Sequence, residues 1–153
     1  MTRRERAVAA FAAGCNCAQA VVSAFVDLLP VDAATALRLS SPFGGGLGRQ
    51  REVCGAVSGM CLVAGLLYGQ EDVGDGAEKL RVYAMTQELC GAFREKNGNI
   101  VCRDLLGLAT KGPESPVPTP RTPEFFHKRP CPDYVGDAAE ILETYIASHP
   151  IKA

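Results

Sequence analysis

Apolar positions recur along this chain at the spacing of helix faces. After Asn16, a natural N-cap, come Ala18, Val21, Val22, Phe25, Leu28 and Leu29. They follow the i, i+3, i+4, i+7, i+10, i+11 series of a single face, and Pro30 stops the run. Thr2 to Ala13 reads as a short helix closed by Gly14. Asp32 caps a shorter one through about Leu39. Ala77 to about Lys96 is a long helix ended by the turn Asn97-Gly98-Asn99. Ile100 to Gly107 is a short helix. Cys131-Pro132 opens the last one, with Val135, Ala138, Ala139, Leu142, Tyr145 and Ile146 on its apolar face. No stretch alternates long enough to demand a sheet. The pattern predicts an all-α helical bundle.

The stretch Val53–Gly69 holds no charged residue and is 17 residues long. A membrane span needs about 20 apolar residues, so this run reads as the buried central helix. A helix apolar all round must be covered on every side, and Gly55, Gly59, Gly65 and Gly69 let neighbours approach. A Gly-rich connection, Ser40 to Arg51, leads into it. Seven of the ten prolines lie between Pro113 and Pro132, giving a long loop over about 109–130. Such a loop is more often functional or mobile than inert. Residues 1–153 read as one helical, cysteine-containing domain.

Charge narrows the function. A net charge of −1, a pI near 6.1 and no Trp leave no footprint for nucleic acid or an anionic membrane. Arg3, Arg4 and Arg6 before Ala7–Ala13 and Gly14-Cys15 faintly resemble a lipoprotein signal. The apolar part is only seven residues, at the lower edge for such a region. The expected compartment is therefore cytoplasmic and reducing. There, clustered cysteines point to metal binding or redox chemistry rather than structural staples.

The chain has seven cysteines. Cys17 follows the cap Asn16, Cys54 follows the Gly-rich connection, Cys102 opens its short helix, and Cys131 starts the last one. Each falls at a predicted helix N-terminus, where free amides and the positive end of the dipole stabilise a thiolate. The thiolate is the nucleophile and the metal ligand. Cys61 and Cys90 fall inside helices and read as buried apolar side chains. Cys15 is an auxiliary thiol or has no role.

Several motifs carry a family resemblance. They are Asn16-Cys17-Ala18-Gln19, Phe43-Gly44-Gly45-Gly46-Leu47-Gly48, Val53-Cys54-Gly55-Ala56-Val57-Ser58-Gly59, Lys96-Asn97-Gly98, Cys102-Arg103-Asp104-Leu105-Leu106-Gly107 and Cys131-Pro132. In this order the chain resembles the C_GCAxxG_C_C family of redox-active proteins over nearly its whole length. The family's name writes Gly before Cys, where this chain has Cys54-Gly55-Ala56. The resemblance maps the four signature cysteines onto Cys17, Cys54, Cys102 and Cys131. It gives Cys15, Cys61 and Cys90 no counterpart.

Three uses of the four thiols stay open at this point. The first is thiol/disulfide exchange or electron transfer, with Cys17, Cys54, Cys102 and Cys131 as the catalytic set. Its partner would be a redox protein or a small thiol or electron carrier. The second is a metal site in which the same four residues hold zinc or an iron–sulfur cluster. Separations of 37, 48 and 29 residues fit no standard zinc or ferredoxin spacing. The third is a non-catalytic assembly domain whose thiols pack, and its small-residue faces would suit a homodimer. Whether the chain is an enzyme stays open with them. Arg49 and Arg51 beside the glycines would suit an anion, although no P-loop or dinucleotide motif is complete. His127, four residues before Cys131, reads as a solvated loop side chain, and His149 as exposed.

Overall fold

The computed structural model describes residues 1–109 and 112–151. Its helices are α1 (Arg3–Ala12), α2 (Cys17–Ser23), α3 (Ala33–Ser40), α4 (Gly55–Tyr68), α5 (Gly76–Asn97), α6 (Cys102–Leu105), α7 (Pro123–Lys128) and α8 (Cys131–Ser148). Short 3-10 turns lie at Val26–Leu28 and Ser41–Phe43. The fold is all-α. Among the described residues, the isolated bridge outside these helices is an antiparallel pairing of Val53 with Val101. No helix there is long and apolar enough to cross a membrane.

Local chemistry sets where the helices start. Asn16 accepts the Gln19 N–H at 2.9 Å while Gln19 accepts the Asn16 N–H at 3.1 Å, a reciprocal capping box. Thr2 and Glu5 make the same box for α1, and Asp32 accepts the Thr35 N–H at 2.7 Å for α3. Each such cap contributes about 1 kcal/mol.

The predicted central helix is α4. Its buried face includes Ala56, Val57, Met60, Val63 and Ala64. Helices α2, α5 and α8 cover most of it and α1 lies across α2 and α8, but it is not covered on every side as expected, because Gly65 is exposed and Leu62 and Leu66 border an open groove. Phe11, Phe25, Met60, Leu89, Phe93 and Leu142 are fully buried in the resulting core. Burying each such side chain contributes about 1.5–3 kcal/mol. Arg4 of α1 pairs with Asp137 and Glu140 of α8, fastening the first helix to the last.

The crossing of α2 over α4 is unusually close. A Cβ built on Gly59 would lie 2.7 Å from the Ala18 carbonyl oxygen, and one on Gly55 would lie 3.0 Å from Cys17 Cβ. Only hydrogen fits at those two positions, so the start of α2 rests directly on the start of α4.

Two expectations need correction. The face predicted through Leu29 ends as an α-helix at Ser23. The Ala24 N–H is shared between the Ala20 and Val21 carbonyls, and the chain tightens to turn Phe25 into the core. Arg3 donates to the Ala24 carbonyl thus released, at 2.8 Å. The Pro-rich stretch is also not all loop, because it contains α7. Thr122 accepts the Phe125 N–H at 3.2 Å and Pro123 takes the first helical position. Phe125 and Phe126 pack edge-on against Phe11, and the Arg121 guanidinium lies 4.0 Å over the Phe11 ring. The Pro-rich segment is thereby held on α1. Thr110 and Lys111, within that predicted loop, lie outside the described residues.

Gly59→Ala is expected to destabilise the fold by about 1–3 kcal/mol, the usual cost of overpacking against backbone. It should lower the urea midpoint without changing the slope. Gly65→Ala, on the same helix with no atom within 4 Å of the added methyl, should show no such loss.

Candidate functional site

Four separate segments bring Cys17, Cys54, Cys102 and Cys131 to one place. Cys17 is the first residue of α2, Cys102 of α6 and Cys131 of α8, while Cys54 is the residue capping α4. All four line one small cavity of about 30 Å³, together with Gly45, Gly46, Gly55, Arg51 and Tyr134. That volume holds about one water molecule, so no organic substrate enters it.

The pairing of Val53 with Val101 sets two of these cysteines side by side. The Cys54 N–H donates to the Ile100 carbonyl at 2.8 Å, and the Cys102 N–H donates to the Glu52 carbonyl at 2.6 Å. The close α2–α4 crossing sets Cys17 against the Cys54–Gly55 corner. Tyr134, one turn into α8, donates its hydroxyl to the Leu105 carbonyl at 3.2 Å and ties the Cys131 helix to the Cys102 helix.

The Gly-rich connection forms the remaining wall. Gly46 has φ +67°, and a Cβ there would meet Cys102 Cβ at 2.8 Å. Arg51 also lies in the left-handed region, at φ 59°, a conformation that non-glycine residues seldom adopt. Its N–H bonds the Gly45 carbonyl, and its own carbonyl accepts the Arg103 N–H. The result aims a 5% exposed guanidinium into the site. Arg51 Nη1 lies 3.6 Å from Cys102 Sγ. Its Nε and Nη2 form a two-point pair with Glu114, each at 3.0 Å. Arg49 reaches the same carboxylate at 3.1 Å. Both arginines are therefore engaged with Glu114, and the glycines serve the close passage of the chain.

An outer pocket of about 350 Å³ opens on the same site. Its walls include Phe11, Phe125, Pro116, Pro118, Thr119 and Asn16, and four arginines face it: Arg49, Arg51, Arg121 and Arg129. Cys17 and Cys131 line both spaces, whereas Cys54 and Cys102 line only the inner one. The four cysteines thus divide into an outer pair and an inner pair.

The expectation that helix starts make all four thiols acidic is corrected. Burial dominates at Cys54 and pushes it up to about 12, although the Ala56 and Val57 amides pull the other way. Burial also raises Cys102, against the Arg51 guanidinium. Cys17 is driven well up by its hydrogen bond with Cys131 and then by burial. Cys131 is the exception. The Cys17 hydrogen bond first, then Arg129, Arg51 and Arg121, outweigh its burial and lower it to about 7. The outer pair therefore releases one proton easily and holds the second, as coupled groups do.

Other sequence candidates lie elsewhere. All seven cysteines are free thiols. Cys15 lines neither space, and burial raises it. His127 and His149 are exposed, with His149 stacked on Tyr145. Cys61 and Cys90 are partly buried and pack against the core, with their sulfurs 4.0 Å apart. Among the described residues, no group of three or more His, Cys, Asp or Glu side chains is arranged to hold a metal ion. Sequence reasoning read Arg51 only as a possible anion contact and passed over Arg129, Glu114 and Tyr134. The one available signal was the unusual density of arginine around the glycines and before Cys131.

A family profile described as "Putative redox-active protein (C_GCAxxG_C_C)" matches residues 15–145. Neither a curated protein nor a solved structure matches the chain significantly.

Alkylation requires the thiolate, so Cys131 should be the first of the four signature cysteines modified by iodoacetamide. Its rate should rise with pH through about 7. Removing a positive charge or a donor favours the protonated form. Arg129→Gln should move that profile to higher pH, and Cys17→Ala should move it further. Peptide mass spectrometry of timed samples across pH 5–9 measures all three, a window spanning about two units either side of the Cys131 value.

Proposed function

The chain belongs to the C_GCAxxG_C_C family of putative redox-active proteins, and on that premise we propose that it carries out thiol/disulfide exchange. The outer pair meets the substrate and the inner pair stores the electrons. One observation carries this reading: Cys17 and Cys131 border both the large arginine-lined pocket and the small inner cavity, and Cys54 and Cys102 border the small cavity alone.

The steps balance as follows. The Cys131 thiolate attacks one sulfur of an external disulfide. The substrate S–S bond breaks, one substrate thiolate leaves, and a mixed disulfide remains on Cys131. Cys17 gives its proton to the departing thiolate and attacks Cys131 Sγ. A Cys17–Cys131 bond forms and the second substrate thiolate leaves, taking a proton from solvent. Two electrons have passed from the cysteines to the substrate. Cys102, beside Arg51, then opens the outer bond by the same exchange, and Cys54 resolves that intermediate. The product is a Cys54–Cys102 bond and a restored outer dithiol. The cycle also runs in reverse with a thiol as donor.

The pocket indicates the substrate class. Four arginines and one carboxylate, Glu114, bring a local charge of 4 − 1 = +3 to the opening. Its volume is at the lower end of small-molecule sites. A small carboxylated disulfide or thiol fits that charge and size, and seven free thiols suit a reducing, cytoplasmic compartment.

Oxidised glutathione should consume Cys17 and Cys131 and yield their cross-linked peptides. Cys17→Ser should stop at a glutathionyl adduct on Cys131, and Cys131→Ser should yield neither product. Raising salt to 1 M should slow the carboxylated oxidant several-fold and leave neutral 2-hydroxyethyl disulfide unaffected. If Cys17 and Cys131 stay alkylatable under oxidant that consumes a free cysteine peptide, the proposal fails.

A further inference from the structure

Outside the four-cysteine site, α4 and α5 carry a second close pair of thiols. Cys61 Sγ and Cys90 Sγ lie 4.0 Å apart across the contact between the two helices. Cys61 is seven residues beyond Cys54 on α4, about 10 Å along the helix axis. Neither Cys61 nor Cys90 lines the inner cavity or the arginine pocket. They are a separate place in the fold.

Two further observations bear on this pair. Both residues are part-exposed. Cys61 also borders an open groove of about 420 Å³ walled by Leu39, Phe43, Leu62 and Leu66. A small uncharged reagent reaches Cys61 there, with no arginine in the wall, whereas Cys90 lies outside the groove and is reached through its own part-exposed edge. The separation of 4.0 Å is about twice a disulfide bond length, so side-chain rotation and a slight helix shift suffice for bonding.

We propose that Cys61 and Cys90 form a second redox dithiol, independent of the signature cysteines, which small neutral disulfides oxidise to a bond clamping α4 to α5. Cys90, part-exposed and with Arg94 four residues on along the same helix, is the attacking thiol. The Cys61 hydrogen bond first, and then Arg94 one turn along α5, lower it to about 7 against its burial, whereas Cys61 is raised by its hydrogen bond to Cys90 and by burial. The Cys90 thiolate attacks a sulfur of the reagent, whose S–S bond breaks with loss of one thiolate. Cys61 loses its proton to solvent and attacks Cys90 Sγ. The Cys61–Cys90 bond forms as the second thiolate leaves. Two electrons pass from the protein to the reagent, which ends as two thiols. The closed bond ties the long outer helix to the central one and restrains their relative movement.

The test uses the full chain, reduced and then treated with 2-hydroxyethyl disulfide at pH 7.5, with non-reduced peptide mapping. Wild-type protein should lose alkylation at both Cys61 and Cys90 and yield the peptide joining them. Cys61→Ser should trap a hydroxyethyl mixed disulfide on Cys90. The doubly substituted Cys17→Ser, Cys131→Ser protein should still form the Cys61–Cys90 bond. That last arm separates this proposal from the function above, because either site can fail alone. Should the double variant misfold, the wild-type map decides the matter. The proposal is overturned if both thiols stay alkylatable under reagent that consumes a free cysteine peptide, or if either is found bonded to a signature cysteine instead. A mixed disulfide trapped on Cys61 in Cys90→Ser, with none on Cys90 in Cys61→Ser, overturns the assigned order of attack.

Discussion

With no side chain at Gly55 and Gly59, the backbone of α2 lies directly on α4. That single contact sets the distance between the starts of two helices, and each start carries a cysteine. The rest of the site is assembled around the same corner. The Val53–Val101 pairing lays the Cys102 turn beside Cys54. Tyr134 then draws the start of α8 onto that turn. Each step uses backbone or a hydrogen bond rather than shape-matched side chains.

Closeness of this kind has an electrostatic cost. Thiols packed away from water resist ionisation, and Cys54 and Cys102 are raised chiefly for that reason, while at Cys17 burial adds to the effect of the Cys131 hydrogen bond. Helix starts alone do not reverse this. The reversal at Cys131 needs a donor in contact and three guanidinium groups nearby. Arg51 belongs to both halves of the site, since it faces Cys102 on one side and holds Glu114 on the other. Its left-handed backbone is one of three at non-glycine positions in this loop, with Leu47 and Arg49. The glycines beside it leave room for a charged side chain to reach an interior that would otherwise be apolar.

Much of this was readable from short-range signals. Asn16, Asp32 and Cys131-Pro132 announce helix starts through groups only three residues away, and those starts are where expected. The uncharged stretch 53–69 announced the central helix for the same reason. What escaped were features settled by contact with distant parts of the chain. Helix α2 ends early because Phe25 is taken into the core and Arg3 captures a carbonyl. Helix α7 exists because α1 offers Phe11 as a partner for two aromatic rings. The Arg51–Glu114 pair spans 63 residues, and nothing local marks it. The adjacency of Cys61 and Cys90 likewise depends on how α5 settles on α4.

The site's four contributors come from residues 17, 54, 102 and 131, spread over most of the chain. No fragment of the polypeptide contains it. Loop closures of this length are entropically slow, so these sulfurs meet only after the helical scaffold has collapsed. Until then all seven thiols are loose on an unfolded polymer, free to join in wrong combinations. A reductant present while the chain is being made would keep those combinations from forming before the architecture is complete.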